Sequence, residues 1–583
     1  MRTIRIKKDN KIQIYLILMI AITFGIFQFS SYRICGFSIY PDEFGYWAAG
    51  AGWIGYDWSQ CTALGSYYSY GYSVILMVIL TLCKSTVAAY RTAVAVNFIL
   101  QGISIILLWR ILGYFFRDSG EAKLLFAAGI SAFYPPWILY MQMTLTEGIL
   151  TFLYLLIVYL ILSFTEKPGI LKCLGLEITL IYLYFVHMRT IGVLIAGGIT
   201  LFAIAVQSRR HRVAVTVSTV MGIGFLIAGI LIKQEITESV YRLNSVEQLA
   251  TNDYAGQWQK LRNLIQGKSI LQLLESMAGK LFYLGAASYG MCYFAGIFCY
   301  RKIKEAIQRI RDKQEIYDGI YGIVFITLSF LAQYFISAVY LVQGTRMDTL
   351  VYGRYNDFVV PLLMGIGLMT LVKCKRIRKW FLAIGILQGG LLVATIYAAR
   401  QMGNAPMQAY FAAGISYLWS GENFIVTADF VKAYAGSMLM FGVISFCIWL
   451  SETRKSPEIL GIVLTAQIAL GLLLSYRYVY LFNDINRTNI RVAEWVMEHA
   501  GENDIVWYLE EGGLPYIDLI QFYLEDRTIQ VLSSKNISDD ELLQKEGYLI
   551  VSLDSERIDR CLQRDEATVR GANFAVYELD VIR

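Results

Sequence analysis

This chain has little charge. Acidic and basic residues make up 16% of 583 positions against 56% hydrophobic ones, and the mean hydropathy is +0.50. That is more apolar surface than a soluble core could bury, which excludes a soluble globular protein and leaves an integral membrane protein. The three histidines and nine cysteines show no CxxC or Cys/His spacing, so neither a zinc module nor a thioredoxin-like motif is indicated. No internal repeat or low-complexity tract is visible. The polar tail has no Gly-rich phosphate loop, which removes the usual signal for nucleotide binding there. The net charge of +6 is modest and sits in short basic clusters between apolar runs, not in one patch, which argues against nucleic acid.

What is present is a series of apolar segments. Thirteen reach membrane-spanning length, at about 12–31, 88–110, 122–140, 145–164, 170–187, 190–206, 213–232, 276–299, 319–341, 355–372, 380–398, 433–450 and 457–477. MRTIRIKKDNK resembles the start of a signal peptide, but the run after it is about 20 residues long without a small-residue cleavage site, so an uncleaved anchor is expected. Cytoplasmic loops are enriched in Lys and Arg. Arg2, Arg5, Lys7, Lys8 and Lys11 therefore place the N-terminus inside, with later inside loops at 207–212, 301–313, 373–379 and 452–455. Odd parity then puts the C-terminus outside. Gly71–Leu82 is apolar but only twelve residues long; at 1.5 Å each it covers about 18 Å of a core about 30 Å thick, so it is read as a half-inserted juxtamembrane helix.

The first outer loop thus runs from about 32 to 87. It carries YPDEFGYWAAG with the adjacent carboxylates Asp42 and Glu43, and a string of aromatics (Trp53, Tyr56, Trp58, Tyr67, Tyr68, Tyr70, Tyr72) suited to the interfacial belt. Cys35 and Cys61 share this loop, which motivates a bracing disulfide. Further outer loops lie at 233–275, with an amphipathic QWQKLRNLIQ, and at 399–432. From about 483 the pattern becomes soluble, alternating strands and helices, and predicts two domains: a membrane domain over 1–482 and a small extracytoplasmic α/β domain over 483–583.

Sorted by side, several polar residues share the outer face with the acidic pair: Glu147, His187, Arg189, Lys280, Tyr283, Arg346, Asp348 and Arg354. Taken singly, each has a plain structural reading. Glu147 suits a helix N-terminus, Arg189 and Arg354 could snorkel, and His187 could be a satisfied polar group. Glu177, inside a span, reads as a buried hydrogen-bonded group or a transport residue. Together they describe an outward cavity in which carboxylates and guanidinium groups converge.

YPDEFGYW after the first helix, the GYS start of the half-helix, YPPWILYMQMTLTEG and YGRYNDFVVPLL, in that order, resemble the class C glycosyltransferases (GT-C), especially the group of protein O-mannosyltransferases and the aminoarabinose transferase of lipid A. The resemblance spans residues 1 to about 480 and implies a sugar donor on a polyprenyl phosphate, Asp42 as principal base with Glu43 beside it, a substrate-facing acid at Glu147, and Arg354 and Tyr355 near the donor phosphate. Where the aminoarabinose transferase group has a phosphate-contacting lysine before the half-helix, this chain has SYYSYG, so Arg189, Lys280 and Arg346 join Arg354 as candidate phosphate partners. The chemistry agrees. A carboxylate can take the acceptor hydroxyl proton, and a phosphate leaving group needs cations, for which the planar guanidinium fork is well shaped. The expected protein is a cell-membrane glycosyltransferase acting on an unidentified glycan, lipid or protein acceptor. A lipid-linked glycan ligase and a lipid or sugar transporter are the alternatives. The pattern points to no particular cofactor; a divalent cation at Asp42 and Glu43 is the one metal it would admit.

Overall fold

Every one of the thirteen apolar segments overlaps a helix in the computed structural model, which describes residues 10–207, 209–250, 262, 269–314, 319–342, 344–374, 376–420, 423–512, 517–562 and 567–579. They are not thirteen straight spans. Among the described residues nine helices are long and apolar enough to cross a membrane, or ten if one bent pair counts as a span. The other segments differ for local reasons. The third is divided into Glu121–Ala132 and Pro135–Tyr140, because consecutive prolines cannot continue the helical ladder but start a new one well. The fifth has 17 residues, Ile170–Val186, and the tenth 13, Val360–Val372, whose residues are buried almost throughout, as a helix that is apolar on all sides should be. The eighth, expected as one helix over 276–299, is corrected to Ser269–Ala287 followed by Met291–Arg311 at 104°. The bend is made at Tyr289 and Gly290, both at positive φ, where glycine is the residue without a steric penalty. The chain is a multi-pass helical membrane protein.

The half-helix is Ser73–Leu82, and it packs on the helix Asp42–Trp53 that opens with the acidic pair. Its Ser73 hydroxyl donates to the Tyr46 carbonyl at 2.6 Å, while Val74, Val78 and Leu82 remain exposed. Most of the aromatic string is not a membrane belt: Trp58, Tyr67, Tyr70 and Tyr72 are buried inside the protein, while Trp53, Tyr56 and Tyr68 are half-buried. Tyr70 donates to the Gly229 carbonyl and Tyr72 to Asn97 Oδ1. The amphipathic stretch at 257–266 lies, but for Arg262, outside the described residues.

The last span continues without a loop into the C-terminal region: Gly461–Ser475, a π-helical turn at Tyr476–Tyr480, then Leu481–His499. Beyond it lies a five-stranded sheet of β1 (Val506–Glu510), β2 (Ile529–Ser533), β3 (Tyr548–Ser552), β4 (Val569–Arg570) and β5 (Phe574–Glu578), in the order β2-β1-β3-β5-β4. β1 runs parallel to both β2 and β3, and β5 is antiparallel to β3 and β4. The helix Ile517–Leu524 turns its aromatic face to the first loop, with the Phe522 ring 4.9 Å from Phe37 and 5.0 Å from Trp47. Asn483 Oδ1 accepts from the backbone N–H groups of Cys35 and Gly36 at 2.8 and 3.0 Å, and Trp58 Nε1 donates to the Glu525 carbonyl at 2.7 Å. The expected disulfide is absent: Cys35 and Cys61 are both free thiols. Cys35 Sγ sits 3.3 Å from Asn483 Oδ1, and Cys61 Sγ 3.8 Å from Gln521 Oε1.

Candidate functional site

The acidic pair opens a helix, and helical geometry separates adjacent side chains by roughly 100°, so Asp42 and Glu43 look in different directions. Glu43 points into the protein. Its Oε1 accepts from the Ser38 N–H and hydroxyl, both at 2.6 Å; its Oε2 accepts from the Tyr90 hydroxyl at 2.5 Å and from the Thr144 N–H and hydroxyl, both at 2.7 Å. Burial pushes its pKa above the ordinary carboxylate value, against these donors, which favour the charged form. Every lone pair that could meet a substrate or a metal is occupied. The divalent ion admitted at this pair therefore has no shared pair of oxygens to bind, and among the described residues no group of three or more His, Cys, Asp or Glu side chains could hold a metal ion. Glu43 ties the first loop to the helix Thr86–Phe115 and to the segment before Glu147. Replacing it by alanine strands two backbone N–H groups and three hydroxyls, at about 1–3 kcal/mol for each buried group left unpaired. Thermal unfolding of purified Glu43→Ala should show a loss of more than ~3 kcal/mol, with Glu43→Gln well below that.

Asp42 turns the other way. Tyr68 donates to its Oδ1 at 2.9 Å and Arg354 Nη1 to its Oδ2. Gly45, one helical turn on, makes room for this contact, since a Cβ there would stand 2.0 Å from the Tyr68 ring. Arg354 Nε also donates to Glu147 Oε1 at 2.6 Å, and Arg189 Nη2 reaches the same oxygen at 2.8 Å. Two guanidinium groups thus share one buried carboxylate, and the second carboxylate closes the chain. The Asp42 side chain is 21% exposed, against 1–3% for Glu147, Arg189 and Arg354, so it is the member of the network that faces out. Arg189 lies 4.6 Å from the Tyr355 ring centroid and Arg354 5.3 Å from that of Tyr40, which suits guanidinium faces. Three buried nitrogens, Arg189 Nε and Nη1 and Arg354 Nη2, have no hydrogen-bond partner among the described residues.

Five of the residues expected at the site, Asp42, Glu147, Arg189, Arg354 and Tyr355, are therefore in one connected cluster. The others are placed differently. Lys280 Nζ donates to the Thr349 carbonyl at 2.8 Å and to Ser276 Oγ at 2.9 Å; it holds the loop ahead of Arg354 and is turned away from the two arginines. Tyr283 donates to Asp357, which also accepts from Tyr134 at 3.0 Å and Tyr140 at 2.9 Å. Arg346 pairs with Asp348 at 3.1 Å and lies over the Phe411 ring, at the rim. His187 Nδ1 accepts from the Arg189 N–H at 3.4 Å and caps the turn that presents that arginine. Glu177 accepts from Thr219 at 2.9 Å, between two helices and apart from the cluster. Tyr68, Tyr40 and Asp357 were not foreseen. Tyr68 falls in SYYSYG and Asp357 in YGRYNDFVVPLL, but nothing in the spacing of either motif says which hydroxyl meets which carboxylate.

No family model matches the sequence, and no curated protein does either. Solved structures are similar in fold. ArnT from Cupriavidus metallidurans bound to undecaprenyl phosphate superposes with a TM-score of 0.57 at 12% identity, over 97% of this chain and 98% of that one. The same protein in its apo state gives 0.50, again at 12% identity and with the same coverage. The archaeal oligosaccharyltransferase AglB from Archaeoglobus fulgidus, in complex with an inhibitory peptide and a dolichol-phosphate, gives 0.46 at 8% identity, over 95% of this chain and 70% of that one.

Proposed function

We propose that this chain, which has the class C glycosyltransferase fold, transfers a glycosyl group from a polyprenyl-phosphate donor to an acceptor hydroxyl at the membrane surface. The observation that carries this reading is the pair of buried arginines with three unpartnered nitrogens beside a half-open carboxylate. Buried donors left unpaired are costly, and phosphate oxygens are the acceptors that guanidinium forks fit best. Arg189 and Arg354 would receive the donor phosphate as the glycosidic bond breaks, with Tyr40 and Tyr355 fixing their planes. Asp42 would take the proton of the attacking hydroxyl. Glu147 holds both arginines in place; Glu43 holds the helix from which Asp42 projects. That a fold relative is recorded with undecaprenyl phosphate supports the donor class by analogy only.

The test is transfer of label from radioactive polyprenyl-phosphate sugars in membranes containing the chain. A labelled product in which the sugar has left its lipid supports the reading; label that crosses the membrane still attached to its lipid points to a transporter. Arg354→Lys keeps the charge but cannot serve Asp42 and Glu147 from two nitrogens while offering a third. Donor affinity should fall about tenfold or more in a variant that still inserts, and unchanged affinity would move the phosphate to Arg189. The basic loops put the site outside. Lys84→Cys should then react with an impermeant thiol reagent in intact cells and Lys304→Cys should not; the reverse pattern inverts the topology. Lys375, expected on the inner side, lies outside the described residues.

A further inference from the structure

The helices Ile377–Gln401 and Val426–Arg454 both qualify as spans, and most of their apolar surface stays outside the protein core. Between them lie two cavities in line. The first, of about 480 Å³, is walled by Arg376, Arg378 and Lys379 on one helix and by Ile448 and Trp449 on the other. The second, of about 320 Å³, follows along the same pair between Phe381, Leu382, Gly385 and Ile386 and the facing Tyr434 and Met438. The basic end lies at the opposite side of the molecule from Asp42, since the helix Val360–Val372 begins beside Arg354 and ends at Val372 in the wall of the first cavity.

None of the three cations makes an ion pair among the described residues, and all three are exposed. The one acid in the wall, Glu452, is already paired with Lys123 at 2.6 Å. Arg301 adds a fourth positive charge close to Cys374, another wall residue. The site therefore has uncompensated positive charge at a mouth and a largely apolar continuation, in which the Tyr434 hydroxyl is taken up by the Gly385 carbonyl at 3.1 Å. From Trp449 to Met438 is eleven residues, or about 16 Å along the helix, close to the depth of one leaflet of a core about 30 Å thick.

We propose that this groove holds one anionic phospholipid of the bilayer, its phosphate at Arg376, Arg378 and Lys379 and its acyl chains along the second cavity. Charge selects the headgroup, because basic pockets between helices at the membrane surface favour anionic lipids. The leaflet-length apolar run selects a lipid over a free phosphate. Gly385 faces the other helix closely: the Tyr434 hydroxyl donates to its carbonyl at 3.1 Å, and a Cβ there would be 3.4 Å from Met438 Cε, so a larger residue at this position fills the groove.

Native mass spectrometry of the full-length protein, equilibrated with equal amounts of phosphatidylglycerol and phosphatidylcholine, tests this. Phosphatidylglycerol should be retained preferentially, and Arg376→Gln/Arg378→Gln/Lys379→Gln should lower its occupancy by roughly 10–100-fold. Gly385→Phe, which leaves every cation in place, should lower it as well, while glycerol 3-phosphate at the same concentration should not displace it. Equal retention of the two lipids, occupancy unchanged in both variants, or displacement by glycerol 3-phosphate would each overturn the proposal. Melting of both variants in phosphatidylcholine alone should match that of the wild type.

Discussion

Asp42→Asn is expected to lower transfer by roughly 10²–10⁴-fold with donor binding largely retained. Asparagine keeps one oxygen for Arg354 and can turn its NH2 to Tyr68, whose hydroxyl can accept as well as donate, so the local arrangement should survive. Arg354 also keeps its bond to Glu147, which it shares with Arg189. What is lost is the ability to accept a proton at the one position in the network that reaches solvent. Turnover and donor affinity measured separately on purified protein decide the matter. Near-normal transfer by Asp42→Asn ends its role as base. A fall in donor affinity that accounts for the whole loss makes it a support of Arg354 instead. A protein that only moves lipid would show no transfer in the wild type either.

The second large effect is expected at Glu147. Among the described residues Arg189 has no other carboxylate partner, and it is 2% exposed, so Glu147→Gln leaves a guanidinium charge buried without compensation. Breaking a buried pair from one side typically costs about 3–5 kcal/mol, and purified Glu147→Gln should lose that order of stability together with donor use. Removing the stranded charge as well, in Glu147→Gln/Arg189→Gln, should restore part of the stability but none of the transfer. That pattern separates a structural ion pair from one that also handles the donor. Full activity in the single variant would show that Glu147 does neither.

Much of this arrangement is legible in the chain. The half-helix follows from length alone, and the basic clusters and apolar runs place Asp42, Glu147, Arg189 and Arg354 on one face before any contact is known. What cannot be read is orientation. Asp42 and Glu43 are adjacent in sequence and chemically alike, yet one is a saturated acceptor for five donors and the other half open, because a helix starting at Asp42 turns each to a different neighbour. Lys280 looks like a free cation beside a phosphate site and is instead held by a backbone carbonyl 69 positions away. The aromatic string has the composition of an interfacial belt, but only packing against Gly229, Asn97 and the C-terminal helix shows that Tyr70, Tyr72 and Trp58 are inside. Helix length misleads for a related reason: a segment apolar enough to span can be buried by neighbours, as Val360–Val372 is, so hydropathy alone cannot tell lipid from protein surroundings.

The grip of the C-terminal region on the first loop also sets an order of events during synthesis. Cys35 bonds to Asn483, 448 positions later, and the Tyr523 hydroxyl donates to the Cys35 carbonyl across 488 positions. The helix bearing Asp42 packs its Trp47 against Phe522. At about 5–20 residues per second, the ribosome needs roughly half a minute or more between the emergence of the first loop and that of its clasp. Through that interval Phe37, Trp47 and Trp58 lack their final neighbours, and a nascent chain with most of its spans already inserted still presents an apolar flap to the aqueous side. The site is thus assembled last although its key residue is made among the first, so a chain that stops short of the sheet would carry the acidic helix without the surface that holds it in place.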